Sequence, residues 1–357
     1  MAGRIAICTG GGDAPGLNAV IRAFVQHGTR HLGLEIVGIE DAFNGLLDAP
    51  RRLMPLDVRS CRGLLHRGGT ILGTTNRGDP FAFPSPDGPR DRSAELRAAV
   101  EAEGIAGIVS VGGDGTQAIA LRLMEQCGIP MIGVPKTIDN DLGATDLTFG
   151  FESAVACATD ALDRLHTTAE SHDRVMLLEV MGRDTGHIAL HAGIAGGADV
   201  ILIPEIPYDP AKIADKIHQR KLVGRSFTLV VVAEGAVPNT VGALDRSARK
   251  SLCAKMGGAA AIAMAELARL VDAEMRTMVL GHLQRGGSPV AVDRLLATRY
   301  GVGAAELVAA GRWGEMVRIR NDHVEGVPIR EAVASVRYVD PDGELVRVAR
   351  ATGITFG

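Results

Sequence analysis

The feature that most constrains this fold is a repeated punctuation: short apolar runs of strand length, each stopped by glycine, proline or a carboxylate. The run beginning at Met131 reads MIGV, ends at Pro135, and delivers Lys136, Thr137, Asp139 and Asp141 in PKTIDND. Another, 106-AGIVSVGG, closes in GGDGT with Asp114 between two glycines, and a third, 4-RIAICTGGG, ends at Asp13. Strands without polar alternation are covered on both faces, the condition met in a parallel sheet with helices above and below. Segments 4–9, 34–39, 106–111, 130–134, 174–180, 199–203 and 227–233 read as such strands. Helical spacing occupies 16–31, 93–103, 116–127, 152–169, 210–219 and 246–270. Their alternation predicts an α/β fold with crossover units, whose ligands bind outside the carboxyl ends of the strands.

Composition fills in the material of that fold. Apolar residues make up 46% of the chain and aromatic residues only 3%, so the core is expected from Val, Ile, Leu and Ala. The 357 residues favour two domains over one. A net charge of −4 with no basic block gives no general attraction for nucleic acid or an anionic membrane. No apolar run approaches the ~20 residues of a membrane span, and the first strand starts too early for a signal peptide. Cys8, Cys61, Cys127, Cys157 and Cys253 form no CxxC pair. A soluble cytoplasmic protein without disulfides or structural zinc is expected.

The strand ends carry the chemistry. In 9-TGGGDAPGLNAVIRA, consecutive amides precede a helix, an arrangement that binds phosphate or serves only as a tight turn with an aspartate cap. The spacing of Gly10, Gly12 and Gly16 matches neither a P-loop nor a dinucleotide fingerprint. In GGDGT, Gly113 and Gly115 allow close approach of backbone to phosphate, and Asp114 offers a hard ligand for Mg²⁺, or else Asp114 and Thr116 cap a helix. In PKTIDND, Asp139 is the natural acceptor of a hydroxyl proton, with Thr137 and Asp141 beside it. Arg183, in EVMGRDTGH, is placed to neutralise a moving phosphoryl group, with a surface ion pair as the plain alternative. The stretch 276-RTMVLGHLQRGGSP gathers Arg276, His282 and Arg285 among glycines, which suits a sugar phosphate. His187 and His191 have helical i, i+4 spacing but lack the HExxH carboxylate and a third ligand, so they are not read as a metal site.

In order, GGGDAPGLNAVIR, GGTILGTTNRG, GGDGT, PKTIDND, SHDR, EVMGR, AEG and LGHLQRGGSP resemble the 6-phosphofructokinase family over roughly residues 4 to 310. The resemblance implies two similar three-layer α/β domains with largely parallel sheets. A donor domain would comprise 1–150 plus about 284–334, a sugar-phosphate domain 151–283, and a C-terminal extension 335–357. It implies transfer of a phosphoryl group, from ATP or pyrophosphate with Mg²⁺, to O1 of fructose 6-phosphate. By motif, Asp139 is the base, Thr137 and Asp141 are its neighbours, Asp114 is the magnesium-side carboxylate, and Arg183 is the transition-state arginine. Gly12, Arg77, Gly113, Gly115, Thr116 and Lys136 fall on the donor side. Met181, Gly182, Glu234, His282 and Arg285 fall on the sugar, and Arg174 and Arg276 reach the 6-phosphate of a neighbouring subunit in a homotetramer or dimer.

Two positions bear on the donor. Gly115 stands where pyrophosphate enzymes carry an aspartate that crowds a nucleotide, which favours ATP, whereas Lys136 resembles the pyrophosphate type. Phe43 and Asn76 replace a tyrosine and an arginine around the nucleotide of typical bacterial ATP enzymes. At the effector site of those enzymes Arg22 is retained but Gln26 and His166 stand in place of arginines, so regulation of that type is expected to be weak or absent. Alternatives are a pyrophosphate-dependent enzyme, a broader acceptor range including sedoheptulose 7-phosphate, and a non-catalytic sugar-phosphate-binding subunit.

Overall fold

The computed structural model describes residues 3–242 and 246–357. In chain order its helices and strands begin with β1 (Arg4–Thr9), α1 (Leu17–His31), β2 (Ile36–Ile39), α2 (Asn44–Leu47), β3 (Leu53–Leu56), α3 (Ser93–Ala102), β4 (Ile105–Gly112), α4 (Asp114–Cys127) and β5 (Met131–Pro135). There follow α5 (Phe151–His172), β6 (Val175–Val180), α6 (His187–Ala195), β7 (Val200–Leu202), α7 (Pro210–Leu222), β8 (Thr228–Ala233), α8 (Arg246–Met256), α9 (Ala259–Leu267) and β9 (Met275–Val279). The chain closes with α10 (Ala291–Ala309), β10 (Glu315–Arg320), β11 (His323–Pro328), α11 (Ile329–Ala332) and α12 (Glu344–Ala351). These elements fall into two compact units: Met1–Ile138 with Leu142–Glu152 and Arg285–Val336, and Asp139–Asp141 with Ser153–Gln284 and Arg337–Gly357.

The first unit is built on a seven-stranded sheet in the order β11-β10-β5-β4-β1-β2-β3. Its middle is parallel, and only the outer pairs β2/β3 and β10/β11 are antiparallel. Both faces are covered: Ile5, Ile7, Val109 and Val111 point into one core with Leu17, Phe24 and Tyr300. Ala6, Cys8 and Ile108 point into another with Leu96, Leu123 and Ile129. This two-sided burial is why the strands read as unbroken apolar runs. Helices α1 and α10 pack so closely that a Cβ at Gly301 would stand 2.6 Å from the Val20 carbonyl oxygen.

In the second unit the sheet has four strands, β7-β8-β6-β9, all parallel. Val175, Leu177, Val230 and Val232 face α7 and α9, while Met176 and Leu229 face Ala169 of α5. The two units therefore share a layered plan but differ in sheet size. All five cysteines are free, and among the described residues no helix is long and apolar enough to cross a membrane.

Several elements depart from the pattern read in the sequence. The helical stretch 246–270 is two helices, because Gly257 and Gly258 adopt φ of 83° and 114°. A Cβ at Gly258 would lie 2.5 Å from the Glu179 carboxylate, so the break also makes room for that side chain. Strands β3, β9, β10 and β11 went unforeseen. Three of them lie at sheet edges and β10 lies next to one, and they carry charges or proline where an interior strand is apolar. Helix α10, with its long apolar face, was also missed, hidden behind the glycine-rich motif before it.

Candidate active site

In the first unit, three strand tips are knitted together by backbone and by small side chains. Strand β1 runs into Gly10–Gly16, and Gly16, the N-cap of α1, has a φ of 114° that L side chains rarely adopt. The Gly10 amide donates to the Val111 carbonyl at 2.9 Å, and the Gly11 amide to Thr75 at 3.0 Å. Thr74 Oγ1 returns a bond to the Gly11 carbonyl at 2.6 Å. Strand β4 ends at Gly112, Gly113 is the N-cap of α4, and Asp114 is the first helical residue. The capping role considered for Asp114 and Thr116 thus falls to Gly113, and the half-buried Asp114 carboxylate sits in the first turn, where the helix dipole favours it. Thr116 is buried, and Gly115 is open: a Cβ placed there would meet nothing within 4 Å.

The same unit gathers two of the expected cations on the first glycine loop. Lys136 is only 3% exposed and its Nζ donates to the Gly12 carbonyl. Arg285 donates to the Asp13 carbonyl at 3.0 Å, and a Cβ at Gly12 would lie 2.6 Å from its Nη1. Gln117, overlooked in the sequence, is fully buried and its amide bridges the Gly112 and Val134 carbonyls at 3.1 and 3.0 Å, fixing the β4 tip against β5. Arg77 is exposed on the loop after Thr74. Among the described residues no group of three His, Cys, Asp or Glu side chains converges as a metal cage. Asp114 would be the residue to hold a magnesium ion, a hard cation that a single carboxylate suits when phosphate oxygens and water supply the other ligands.

The chain passes from the first unit to the second between Ile138 and Asp139. Asp139, Asn140 and Asp141 are 3%, 4% and 8% exposed, and Asn140 has a φ of 54°. Their three carbonyls are all engaged within the second unit: Asp139 accepts from Thr185 Oγ1 at 3.3 Å, Asn140 from Arg337 Nε at 3.1 Å, and Asp141 from the Arg337 amide at 2.8 Å. Thr185 belongs to the turn that follows β6. There Gly182 and Arg183 have φ of 146° and 54°, and the Thr185 amide donates to Gly182 at 3.0 Å. Glu234, at the end of β8, accepts from the Arg183 amide at 2.7 Å, and Gln284 accepts from the Met181 amide at 2.8 Å. The turn is held by its backbone while the Arg183 side chain remains exposed.

Buried Glu179 lies in β6 ahead of this turn, and half-buried Glu205 bonds Gly186, the residue after it. Glu179 accepts from the Ala260 amide at 2.9 Å at the start of α9, and burial pushes its carboxyl pKa up. Glu205 accepts from the Gly186 and Val339 amides at 3.0 and 2.9 Å, and burial raises its pKa as well. The histidine pair does lie on a helix, α6, but in structural roles. His187 Nε2 bonds the Arg337 carbonyl at 3.0 Å, and His191 Nδ1 bonds the His187 carbonyl at 2.8 Å. Burial lowers the His187 pKa from 6.5 to about 4, so the ring is neutral.

Arg174 and Arg276 are not beside Arg183. They sit at the amino-terminal end of the same sheet, about 17 Å away along a six-residue strand. Both pair with Glu274, at 2.9 and 2.5 Å, and the arginines hold that carboxyl below its usual pKa. His282 is exposed in the 3₁₀ turn Gly281–Arg285.

Fold and strand tips together define an α/β protein that presents glycine loops, a lone metal-suited carboxylate and a set of buried aspartates at the carboxyl ends of parallel strands. Residues 4–308 match the family model described as Phosphofructokinase. The "ATP-dependent 6-phosphofructokinase 1" of Synechocystis is 48% identical over 355 residues, 99% of this chain and 98% of that protein. The "Pyrophosphate--fructose 6-phosphate 1-phosphotransferase" of Streptomyces coelicolor is 44% identical over 356 residues, 99% and 100% of the two. The crystal structure of Pichia pastoris phosphofructokinase superposes with a TM-score of 0.78 at 31% identity, over 94% of this chain and 36% of that one. This chain therefore spans about a third of that yeast chain. It belongs to the phosphofructokinase family.

Proposed function

We propose that the protein is a 6-phosphofructokinase that transfers the γ-phosphoryl group of ATP to O1 of fructose 6-phosphate, the phosphorylating step of glycolysis. The observation that carries the choice of donor is the open space at Gly115, beside the Asp114 carboxylate, where a larger phosphoryl donor meets no side chain. Asp139 accepts the O1 proton as O1 bonds to the γ-phosphorus and ADP leaves with the bridging oxygen. Thr137 and Asp141 hold the sugar hydroxyls, and the Arg183 guanidinium neutralises charge on the moving group. Asp114 would hold Mg²⁺, which when bound screens the donor phosphates. Gly12, Gly113, Thr116, Arg77 and Lys136 serve the donor, and Met181, Gly182, Glu234, His282 and Arg285 serve the sugar.

The pair Arg174 and Arg276, at the far end of its sheet from Arg183, suits a 6-phosphate bound by a neighbouring copy, so the working form is a homotetramer or dimer, in the cytoplasm. The second reading, a pyrophosphate donor, draws on Lys136, whose ammonium lies on the donor loop at Gly12, and on the name of the Streptomyces relative. Fructose 1,6-bisphosphate formation by the purified protein, and its loss in Asp139→Asn, tests the activity. A protein that is stabilised by fructose 6-phosphate yet never turns it over would be a sugar-phosphate-binding subunit instead.

A further inference from the structure

The carboxyl-terminal stretch lies beyond the residues matched to the family, which end at 308. Its path through the second unit gives it work to do. Arg337 meets the Asp139–Asp141 loop through two groups: its amide donates to the Asp141 carbonyl at 2.8 Å and its Nε to the Asn140 carbonyl at 3.1 Å. Its own carbonyl bonds His187 Nε2 at 3.0 Å. Two residues on, the Val339 amide donates to Glu205 Oε1 at 2.9 Å, and the same oxygen accepts from Gly186 at 3.0 Å, next to Thr185. Farther along, Thr355 pairs with β7: Ile201 donates to its carbonyl at 2.9 Å, and its amide donates to Asp199 at 3.1 Å. Phe356 is buried beyond it. The segment is thus fixed at one end on β7 and at the other on the loop that carries Asp139.

We infer that Arg337 is a positioning residue for phosphoryl transfer: its amide and guanidinium hold the Asn140 and Asp141 carbonyls and so set the direction of the Asp139 carboxylate. Asn140 is in the left-handed backbone region, which asparagine enters more readily than most L-residues but which its surroundings must still select. The two bonds from Arg337 and the one from Thr185 supply that selection. A bond from a guanidinium to a carbonyl is charge-assisted and directional, so it aims the loop rather than merely covering it. His187 in turn anchors the Arg337 backbone, and its neutral ring suits a bond to a carbonyl from one nitrogen.

The inference rests on the reading of Asp139 as the base, and a double-mutant cycle separates the two. Arg337→Met keeps the stem and the amide bond but removes Nε. It is expected to lower kcat about 10- to 100-fold, with the donor KM unchanged and the fructose 6-phosphate KM within about threefold. In an Asp139→Asn background the same change should cost little more, because its effect passes through Asp139. Wild-type protein that makes no fructose 1,6-bisphosphate would defeat the reading of Asp139. An active wild type whose Arg337→Met retains full kcat, or whose two losses multiply, would overturn the positioning role. Should Arg337→Met not fold, His187→Ala and His187→Gln answer the same question. Loss of kcat in the first with recovery in the second supports the anchor, and equal kcat in both contradicts it.

Discussion

The two units differ in what surrounds their functional loops: the first keeps an open position at Gly115, and the second fills its loop with bonds. On the first unit Gly115 leaves open space, and the first glycine loop is held by main-chain bonds at Gly10 and Gly11 together with side-chain bonds to its carbonyls from Thr74, Lys136 and Arg285. The second unit leaves no such opening in its loop, whose carbonyls are all bonded. Its Asp139–Asp141 carbonyls and the Arg183 turn are pinned by Thr185, Glu234, Gln284 and Arg337. The difference teaches where each kind of specificity resides. On the proposed function, donor choice would depend on an absent side chain and be open to change at one position, Gly115. Placement of Asp139 and of the Arg183 turn depends on a network, so a change in one member propagates to the others.

The largest expected effect breaks the acceptor side. Asp139→Asn should reduce kcat by about 10²–10⁴-fold, the usual worth of a general base, and Arg183→Ala by a comparable factor, with the sugar still bound. Steady-state kinetics beside a thermal-shift titration with fructose 6-phosphate checks both; loss of sugar binding in parallel with kcat would assign these residues to binding. Next in size is the donor side. Gly115→Asp introduces a carboxylate into open space, so the fold should be unaffected while the ratio of ATP to pyrophosphate use falls about 100-fold by like-charge repulsion. Equal loss with both donors would remove the steric and electrostatic argument.

Stability effects are smaller and sharpen the comparison of the units. His187 has a folded pKa of about 4 against 6.5, so between those values the unfolded chain binds more protons than the folded one. Stability from this site is therefore complete above pH 6.5 and falls by up to about 3 kcal/mol as pH drops through 4. Denaturant titrations at several pH values should show that slope in the wild type and a shallower one in His187→Gln. In the first unit, Gly301→Ala drives a methyl group against the Val20 carbonyl between α1 and α10. It should cost about 1–3 kcal/mol by overpacking, read as a lower melting temperature, whereas Gly33→Ala, which meets no neighbour, tests the cost of its positive φ alone.

The same contrast explains what the sequence disclosed. The glycine loops of the first unit are contiguous motifs at strand ends, so Gly12, Asp114 and Gly115 stand out as candidates, and the two-sided burial of β1, β4 and β5 made those strands plain. Arg337 had no such signal, being 197 residues from Asn140, and Glu205 reaches Val339 across 134. Gln284 lies within LGHLQRGGSP and Gln117 directly follows GGDGT, yet nothing local distinguishes an amide that ties backbone segments together from one in solvent. Edge strands β3, β9 and β11, and β10 beside one of them, lack the apolar continuity that betrays a covered strand, and α8 and α9 read as one helix until the Gly257–Gly258 backbone is considered.

The most direct test of the central claim is a donor comparison on the purified protein with fructose 6-phosphate and Mg²⁺, following fructose 1,6-bisphosphate with ATP and with pyrophosphate. Formation of the bisphosphate with ATP, and little with pyrophosphate, is the predicted result and makes the open space at Gly115 decisive. Turnover with pyrophosphate and none with ATP would contradict the account and transfer the decision to Lys136.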